Sequence, residues 1–68
     1  MIKQYLKAGA IPLVKGNVPM LGAALHTNNM IFGEVSHPVD LTRTSGGSSG
    51  GDAGLIATKC IPLNISID

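Results

Sequence analysis

A glycine- and serine-rich run in the second half of the chain constrains the fold more than any other feature. Residues 45–52 read Ser-Gly-Gly-Ser-Ser-Gly-Gly-Asp, and an apolar segment, Ala-Gly-Leu-Ile-Ala, follows at once. Glycine allows backbone turns and close approaches that other residues cannot make, so this run can fold tightly. Two adjacent hydroxyls, those of Ser48 and Ser49, lie between the glycine pairs. The pattern therefore predicts a tight loop that presents a serine and leads directly into a helix.

The size of the chain limits how much core it can bury. Its 68 residues allow at most one small domain. Trp is absent, and the single Tyr and Phe, Tyr5 and Phe32, are expected to be core contacts. The single cysteine, Cys60, cannot form an internal disulfide and is expected to be a small buried side chain. Because scaffolds of this size usually need a disulfide, a metal or a partner, we expect poor stability in isolation.

Composition and spacing exclude several classes of function. The net charge is +1 and the basic residues are well separated, so no nucleic-acid partner is predicted. The longest apolar stretch, residues 18–25, is far shorter than a transmembrane segment, and the N-terminal residues do not resemble a signal peptide. The default expectation is therefore a cytoplasmic protein. His26, His37 and Cys60 lack metal-ligand spacing, so no metal and no other cofactor is expected.

The hydrophobic pattern predicts an α/β chain of short elements. Ile2, Tyr5 and Leu6 fall on one helical face, and Gly9 is a suitable helix stop. Asp52 is expected to be the N-cap of the helix that follows the glycine–serine run. The predicted elements are helices over residues 1–8, 19–25 and 53–57, strands over residues 10–14 and 61–67, and a loop over residues 26–44.

The glycine–serine run and its flanks resemble the amidase signature family, in particular its fatty acid amide hydrolase-like members. The segments that carry the resemblance are residues 7–12 (Lys-Ala-Gly-Ala-Ile-Pro), 16–19 (Gly-Asn-Val-Pro), 29–33 (Asn-Met-Ile-Phe-Gly), 46–51 (Gly-Gly-Ser-Ser-Gly-Gly), Pro38, and Pro62-Leu63 with Asp68. The resemblance implies that residues 1–68 are an internal fragment of a large mixed-sheet amidase signature domain. It also implies hydrolysis of carbon–nitrogen amide bonds in a small-molecule or lipid substrate.

The same resemblance implies a Ser–cisSer–Lys catalytic arrangement. In the family, a neutral lysine takes the proton of a nucleophilic serine through a bridging serine. Ser48 matches the bridging position, and its preceding peptide bond, Gly47–Ser48, is the one that is cis in the family. Ser49 would support the site by hydrogen bonding, and the remaining members of the supporting loop would be Gly46, Gly47, Gly50 and Gly51.

The other two catalytic groups have no match in these residues. By resemblance, the lysine is expected upstream of Met1 and the nucleophile shortly after Asp68. Asn64 and Ser66 stand where the family pattern has glycine. The lysines that occupy no motif position, and receive no catalytic role, are Lys3, Lys7, Lys15 and Lys59. We therefore expect this chain to be inactive alone and to associate with the rest of an amidase domain.

Three other interpretations of the run remain open. It could be a flexible Gly/Ser linker in an unrelated small domain. It has the glycine spacing of a phosphate-binding loop, but Asp52 stands where that loop needs lysine, and its carboxylate would repel phosphate. The chain could also be a non-catalytic interaction remnant that associates with an intact relative.

Overall fold

Two short helices and a small antiparallel hairpin form the regular structure of the chain, which a computed structural model describes over residues 1–68. This is the predicted class of short helices and two short strands. In chain order the elements are helix α1 (Ile2–Lys7), a single 3₁₀ turn (Met20–Gly22), strands β1 (Asn28–Asn29) and β2 (Gly33–Glu34), and helix α2 (Gly50–Ala57).

Helix α1 ends where the sequence predicts. The N–H of Gly9 donates to the carbonyl of Leu6 at 3.1 Å, and the N–H of Ala10 donates to that of Tyr5 at 3.0 Å. Gly9 has a positive φ of 92°. These two bonds form a Schellman motif, which satisfies carbonyls that the last helical turn leaves free.

The hairpin lies inside the segment predicted to be loop, so that prediction was wrong at residues 28–29 and 33–34. Asn28 pairs with Glu34 and Asn29 with Gly33 in antiparallel register. The Asn29 side chain forms the turn, because its Oδ1 accepts the N–H groups of Ile31 and Phe32 at 3.0 and 2.8 Å. A turn built by side-chain bonds does not need the hydrophobic alternation that reveals longer strands.

Backbone hydrogen bonds extend the pairing beyond the hairpin. The Val35 N–H donates to the Thr27 carbonyl at 2.9 Å, and the Ser45 N–H donates to the Val35 carbonyl at 3.0 Å. A bridge between Ser36 and Thr44 closes the next loop. Residues 26–28, 34–36 and 44–46 thus lie side by side, and the glycine–serine run begins at this edge.

Neither predicted strand forms. Residues 11–18 and 61–68 make no backbone–backbone hydrogen bond, so residues 10–14 and 61–67 are not strands. A strand needs a neighbour to receive its N–H and C=O groups, and no other segment of these residues pairs with either stretch. Their sequence preference for extended backbone is therefore not expressed as a sheet.

Two helix predictions also need correction. The second helix is only the 3₁₀ turn, because Leu21 and Gly22 have φ of 59° and 72°, outside the helical region. The N-cap of α2 is Ser49 and the helix starts at Gly50, so Asp52 lies in the first turn and is not the cap. An acidic residue in the first turn still interacts favourably with the helix dipole.

No hydrophobic side chain is fully buried. Phe32 is 78% exposed and Tyr5 39%, so the predicted core contacts do not form. Cys60 is exposed as well, and its Sγ accepts a hydrogen bond from the Thr58 hydroxyl at 3.2 Å. No helix has both the length and the apolar character that a membrane crossing requires.

Candidate active site

The glycine–serine run forms a tight loop between the Ser36–Thr44 bridge and helix α2. The Gly47–Ser48 peptide bond is cis, as the resemblance implied. Gly46 has a φ of 82°, which turns the chain just before that bond. Ser48 is half-buried; its carbonyl accepts a hydrogen bond, whereas its Oγ has no hydrogen-bond partner among these residues. The loop thus fixes the backbone of Ser48 and leaves its hydroxyl without a hydrogen-bond partner among residues 1–68.

The Thr27 side chain lies within hydrogen-bonding distance of the loop backbone at three points. Its Oγ1 lies 3.0 Å from the carbonyl oxygens of both Gly46 and Ser48, and it accepts the Gly50 N–H at 2.7 Å. Its own N–H donates to the Gly46 carbonyl at 2.9 Å. Thr27 is fully buried, at 0% exposure. Sequence reasoning missed this residue, because a lone threonine gives no sign of burial before its neighbours in space are known.

Close approach of neighbouring atoms requires glycine at three points of the loop. A Cβ on Gly47 would lie 2.7 Å from both the Ala24 carbonyl oxygen and the His26 nitrogen, which are backbone atoms. A Cβ on Gly50 would lie 2.5 Å from the Thr27 hydroxyl. Real Cβ atoms do not come this close, so a larger residue would displace the loop. Gly51 packs in the same way on the backbone of Asn17.

The C-terminal residues lie against the same loop. The Ser49 hydroxyl donates to the Ile67 carbonyl at 3.4 Å, and the Ser66 hydroxyl donates to Asp52 Oδ2 at 3.0 Å. Ser66, one of the two residues found in place of a family glycine, thus ties the chain end to the first turn of α2. These contacts place residues 66 and 67 beside Ser49 and Asp52.

Two asparagines connect the other motif segments. The Asn17 Nδ2 donates to the Gly33 carbonyl at 3.2 Å, and the Asn29 Nδ2 donates to the Val18 carbonyl at 2.8 Å. Residues 16–19 are therefore fixed to the hairpin. An open groove of about 560 Å³ follows this junction and is lined by Lys15, Gly16, Asn17, Val18, Pro19, Asn29, Ile31 and Phe32.

The titratable groups do not gather at the loop. No three His, Cys, Asp or Glu side chains come together as a metal-binding group. His37 lies in the loop over residues 36–44, where its Nδ1 accepts the N–H groups of Val39 and Asp40 at 3.2 and 3.3 Å. The pKa of Asp40 lies below its ordinary value of 3.8, mainly because the Thr42 hydroxyl and then its N–H donate to the carboxylate. The nearby His37 lowers this pKa slightly further.

The family model for Amidase matches residues 1–68. This chain belongs to the amidase family. No solved structure is similar to it at a significant level. The glycine–serine loop, its cis bond and the fragment of α/β structure around it are thus parts of an amidase domain.

Relatives within the amidase family agree with this assignment. The chain is 47% identical over 69 residues to the vitamin D3 hydroxylase-associated protein of Gallus gallus, with 100% of the chain and 15% of the relative covered. It is 39% identical over 67 residues to fatty acid amide hydrolase 1 of Caenorhabditis elegans, with 98% and 12% covered. It is 38% identical over 69 residues to fatty-acid amide hydrolase 1 of Sus scrofa, with 100% and 12% covered.

The chain therefore spans between 12% and 15% of the length of these amidase relatives. At the level of the family, the chemistry is that of amide bonds, and the similarity extends to fatty acid amide hydrolases.

Proposed function

We propose that residues 1–68 are one part of the catalytic domain of a serine amidase, and that Ser48 is the bridging serine of a Ser–cisSer–Lys relay. The surroundings of Ser48 support this proposal most strongly. Its backbone is held by Thr27, whereas its hydroxyl has no partner within these residues. A relay serine needs this combination, because its oxygen must accept one proton and donate another without moving far.

The proposed relay conserves atoms and charge. The nucleophilic serine, supplied by a segment outside these residues, attacks the amide carbonyl and passes its proton to Ser48 Oγ. Ser48 at the same time passes its own proton to the neutral amine of a lysine that also lies outside these residues. When the C–N bond breaks, the proton passes from the lysine through Ser48 to the nitrogen of the leaving amine. Water then attacks the acyl-enzyme and gives one proton to the same relay, which returns it to the oxygen of the nucleophilic serine as the acid leaves.

Fatty acid amides are the proposed substrate class, because relatives named fatty acid amide hydrolase match nearly the whole chain. The amide carbonyl would also need hydrogen-bond donors for its oxyanion, each typically contributing about 3–4 kcal/mol. We propose that those donors come from the segment that carries the nucleophile, since the loop amide of Gly50 is already used by Thr27.

The exposed apolar side chains support association with the rest of an amidase domain. Ile11, Met30 and Ile31 are each at least 80% exposed, and no hydrophobic residue is fully buried. Burial of such side chains contributes roughly 1.5–3 kcal/mol each, so a domain that covers them would be stabilised. The same observation favours a second candidate function, a non-catalytic remnant that binds an intact relative.

A chimera tests the proposed function. In the chimera, residues 1–68 replace the matching 67-residue segment of the Caenorhabditis elegans fatty acid amide hydrolase 1. The expected result is turnover of a fatty acid amide that Ser48→Ala reduces by about 10²–10⁴-fold in kcat, the range typical of lost proton transfer. The matched control is Ser36→Ala, which removes an exposed hydroxyl that makes no hydrogen bond.

The two candidate functions predict different results for the chimera. A chimera that folds but shows no turnover, together with equal binding of wild-type and Ser48→Ala chains to the intact relative, would support the remnant. Turnover that Ser48→Ala leaves unchanged would exclude the proposed relay.

A further inference from the structure

Thr27 differs from every other large side chain in this protein. It is the only one that is fully buried, in a chain that buries no hydrophobic residue completely. Burial of a hydroxyl is unfavourable unless its hydrogen-bonding capacity is used. Here that capacity is directed entirely at the glycine–serine loop.

We infer that Thr27 is a positioning residue for Ser48, an inference that rests on the proposed relay. The Thr27 hydroxyl contacts the chain directly after the Ser48 side chain. It lies 3.0 Å from the Ser48 carbonyl oxygen and accepts the N–H of Gly50, two residues further along, at 2.7 Å. These contacts fix the peptide groups that follow the Ser48 Cα, and so limit where Ser48 Oγ can lie.

The backbone of Thr27 is held by hydrogen bonds that do not involve its side chain. The Thr27 N–H donates to the Gly46 carbonyl at 2.9 Å, and its carbonyl accepts the Val35 N–H at 2.9 Å. Both are main-chain bonds, which any residue at position 27 can make. A change confined to the side chain can therefore remove the contacts of the Thr27 hydroxyl with Ser48 and Gly50. The two main-chain bonds stay in place.

The steric fit at Gly50 supports the same role. A Cβ at position 50 would lie 2.5 Å from Thr27 Oγ1 and 2.7 Å from the Ser45 hydroxyl oxygen. Ser45 Oγ in turn lies 3.0 Å from the Val35 carbonyl oxygen and 3.2 Å from that of Gly50. Two hydroxyls from neighbouring segments thus hold the start of α2, and only Thr27 also reaches Ser48.

The test compares Thr27→Val with Thr27→Ser in the chimera. Valine keeps the shape and removes the hydroxyl, and serine keeps the hydroxyl. We expect Thr27→Val to lower kcat about 10- to 100-fold with KM unchanged within about twofold, because small displacements of a reacting group cost this much. Thr27→Ser should restore kcat to within about threefold of the wild type. Thr42→Val, an exposed threonine in the loop over residues 36–44, is the matched control and should leave kcat unchanged.

A merely structural role gives a different pattern. It would lower the melting temperature and the yield of Thr27→Val but leave kcat per titrated active site near that of the wild type. That pattern, or equal losses of kcat in Thr27→Val and Thr27→Ser, would overturn the inference.

A second measurement separates failure of this inference from failure of the proposed function. Amide hydrogen exchange in the folded chimera, measured without substrate, reports the bond from Gly50 to Thr27 without any catalysis. We expect Gly50 to be protected in the wild type and in Thr27→Ser and unprotected in Thr27→Val, with the α2 amide of Ala53 as the internal reference. An inactive wild-type chimera would refute the proposed function alone, whereas a Gly50 amide that is unprotected in the wild type would overturn the inference.

Discussion

The two adjacent serines of the loop have different surroundings, although both are half-buried. Ser48 presents a hydroxyl with no partner, and Ser49 donates its hydroxyl to the Ile67 carbonyl at 3.4 Å. In the chimera, Ser48→Ala should therefore reduce kcat much more than Ser49→Ala. A supporting hydrogen bond contributes only about 1 kcal/mol net, which is a loss of several-fold. Steady-state kinetics on both variants measure the order, and a larger loss in Ser49→Ala would move the bridging role by one residue.

Asp40 gives a prediction about pH at the same scale. Its carboxylate accepts the Thr42 N–H at 3.1 Å and the Thr42 hydroxyl at 2.6 Å, and these bonds lower its pKa. Because the pKa is depressed in the folded state, the carboxylate stabilises the loop over residues 36–44 above pH 3.8, and this contribution is lost as the pH falls through the lowered value. A ¹³C titration of the Asp40 carboxyl should show a midpoint below 3.8, and Thr42→Val should raise it. A midpoint unaffected by Thr42→Val would contradict this assignment.

Helix α2 ends differently from α1. In both, two backbone bonds close the last turn, and in α2 they run from Lys59 to Ile56 and from Cys60 to Leu55. The residue with positive φ is Gly9 after α1 but Lys59, at 60°, after α2. A side chain in this left-handed conformation costs roughly 1–2 kcal/mol, which glycine does not incur.

Lys59→Gly should therefore stabilise the end of α2. We expect higher helical content by circular dichroism at low temperature and slower exchange of the Cys60 amide. The matched control is Lys3→Gly, inside α1, which should lower helical content because glycine is unfavourable in a helix interior by about 1 kcal/mol. Loss of helical content in Lys59→Gly would show that the lysine side chain contributes more than its backbone conformation costs.

The sequence predicted elements whose signals are local and missed those that depend on distant partners. Helix α1, its stop at Gly9 and the helix after the glycine–serine run have local patterns and are present. The cis bond before Ser48 came from family resemblance rather than from periodicity. The strands predicted over 10–14 and 61–67 lack a neighbour, whereas the hairpin arises from Asn29 side-chain bonds. The role of Thr27 could not be predicted because it joins segments about twenty residues apart.

Over the whole molecule, the balance of burial predicts marginal folding. Only 4 of 68 residues are buried, and none of them supplies a hydrophobic core. The loss of chain entropy on folding, about 1–2 kcal/mol per residue, is therefore poorly compensated. We expect a broad, weakly cooperative thermal transition of the isolated chain by circular dichroism. A sharp transition in dilute, monomeric protein would instead indicate a self-sufficient domain.

We propose that this chain contributes Ser48 to an amidase site that other segments complete. Turnover of a fatty acid amide by the isolated 68-residue chain and by the chimera, measured side by side, tests it most directly. We predict no turnover above buffer for the chain, because a bridging serine cannot catalyse acyl transfer without a nucleophile and its base, and Ser48-dependent turnover for the chimera. Turnover by the isolated chain that survives repurification and disappears in Ser48→Ala would contradict the claim, as would a folded chimera without activity.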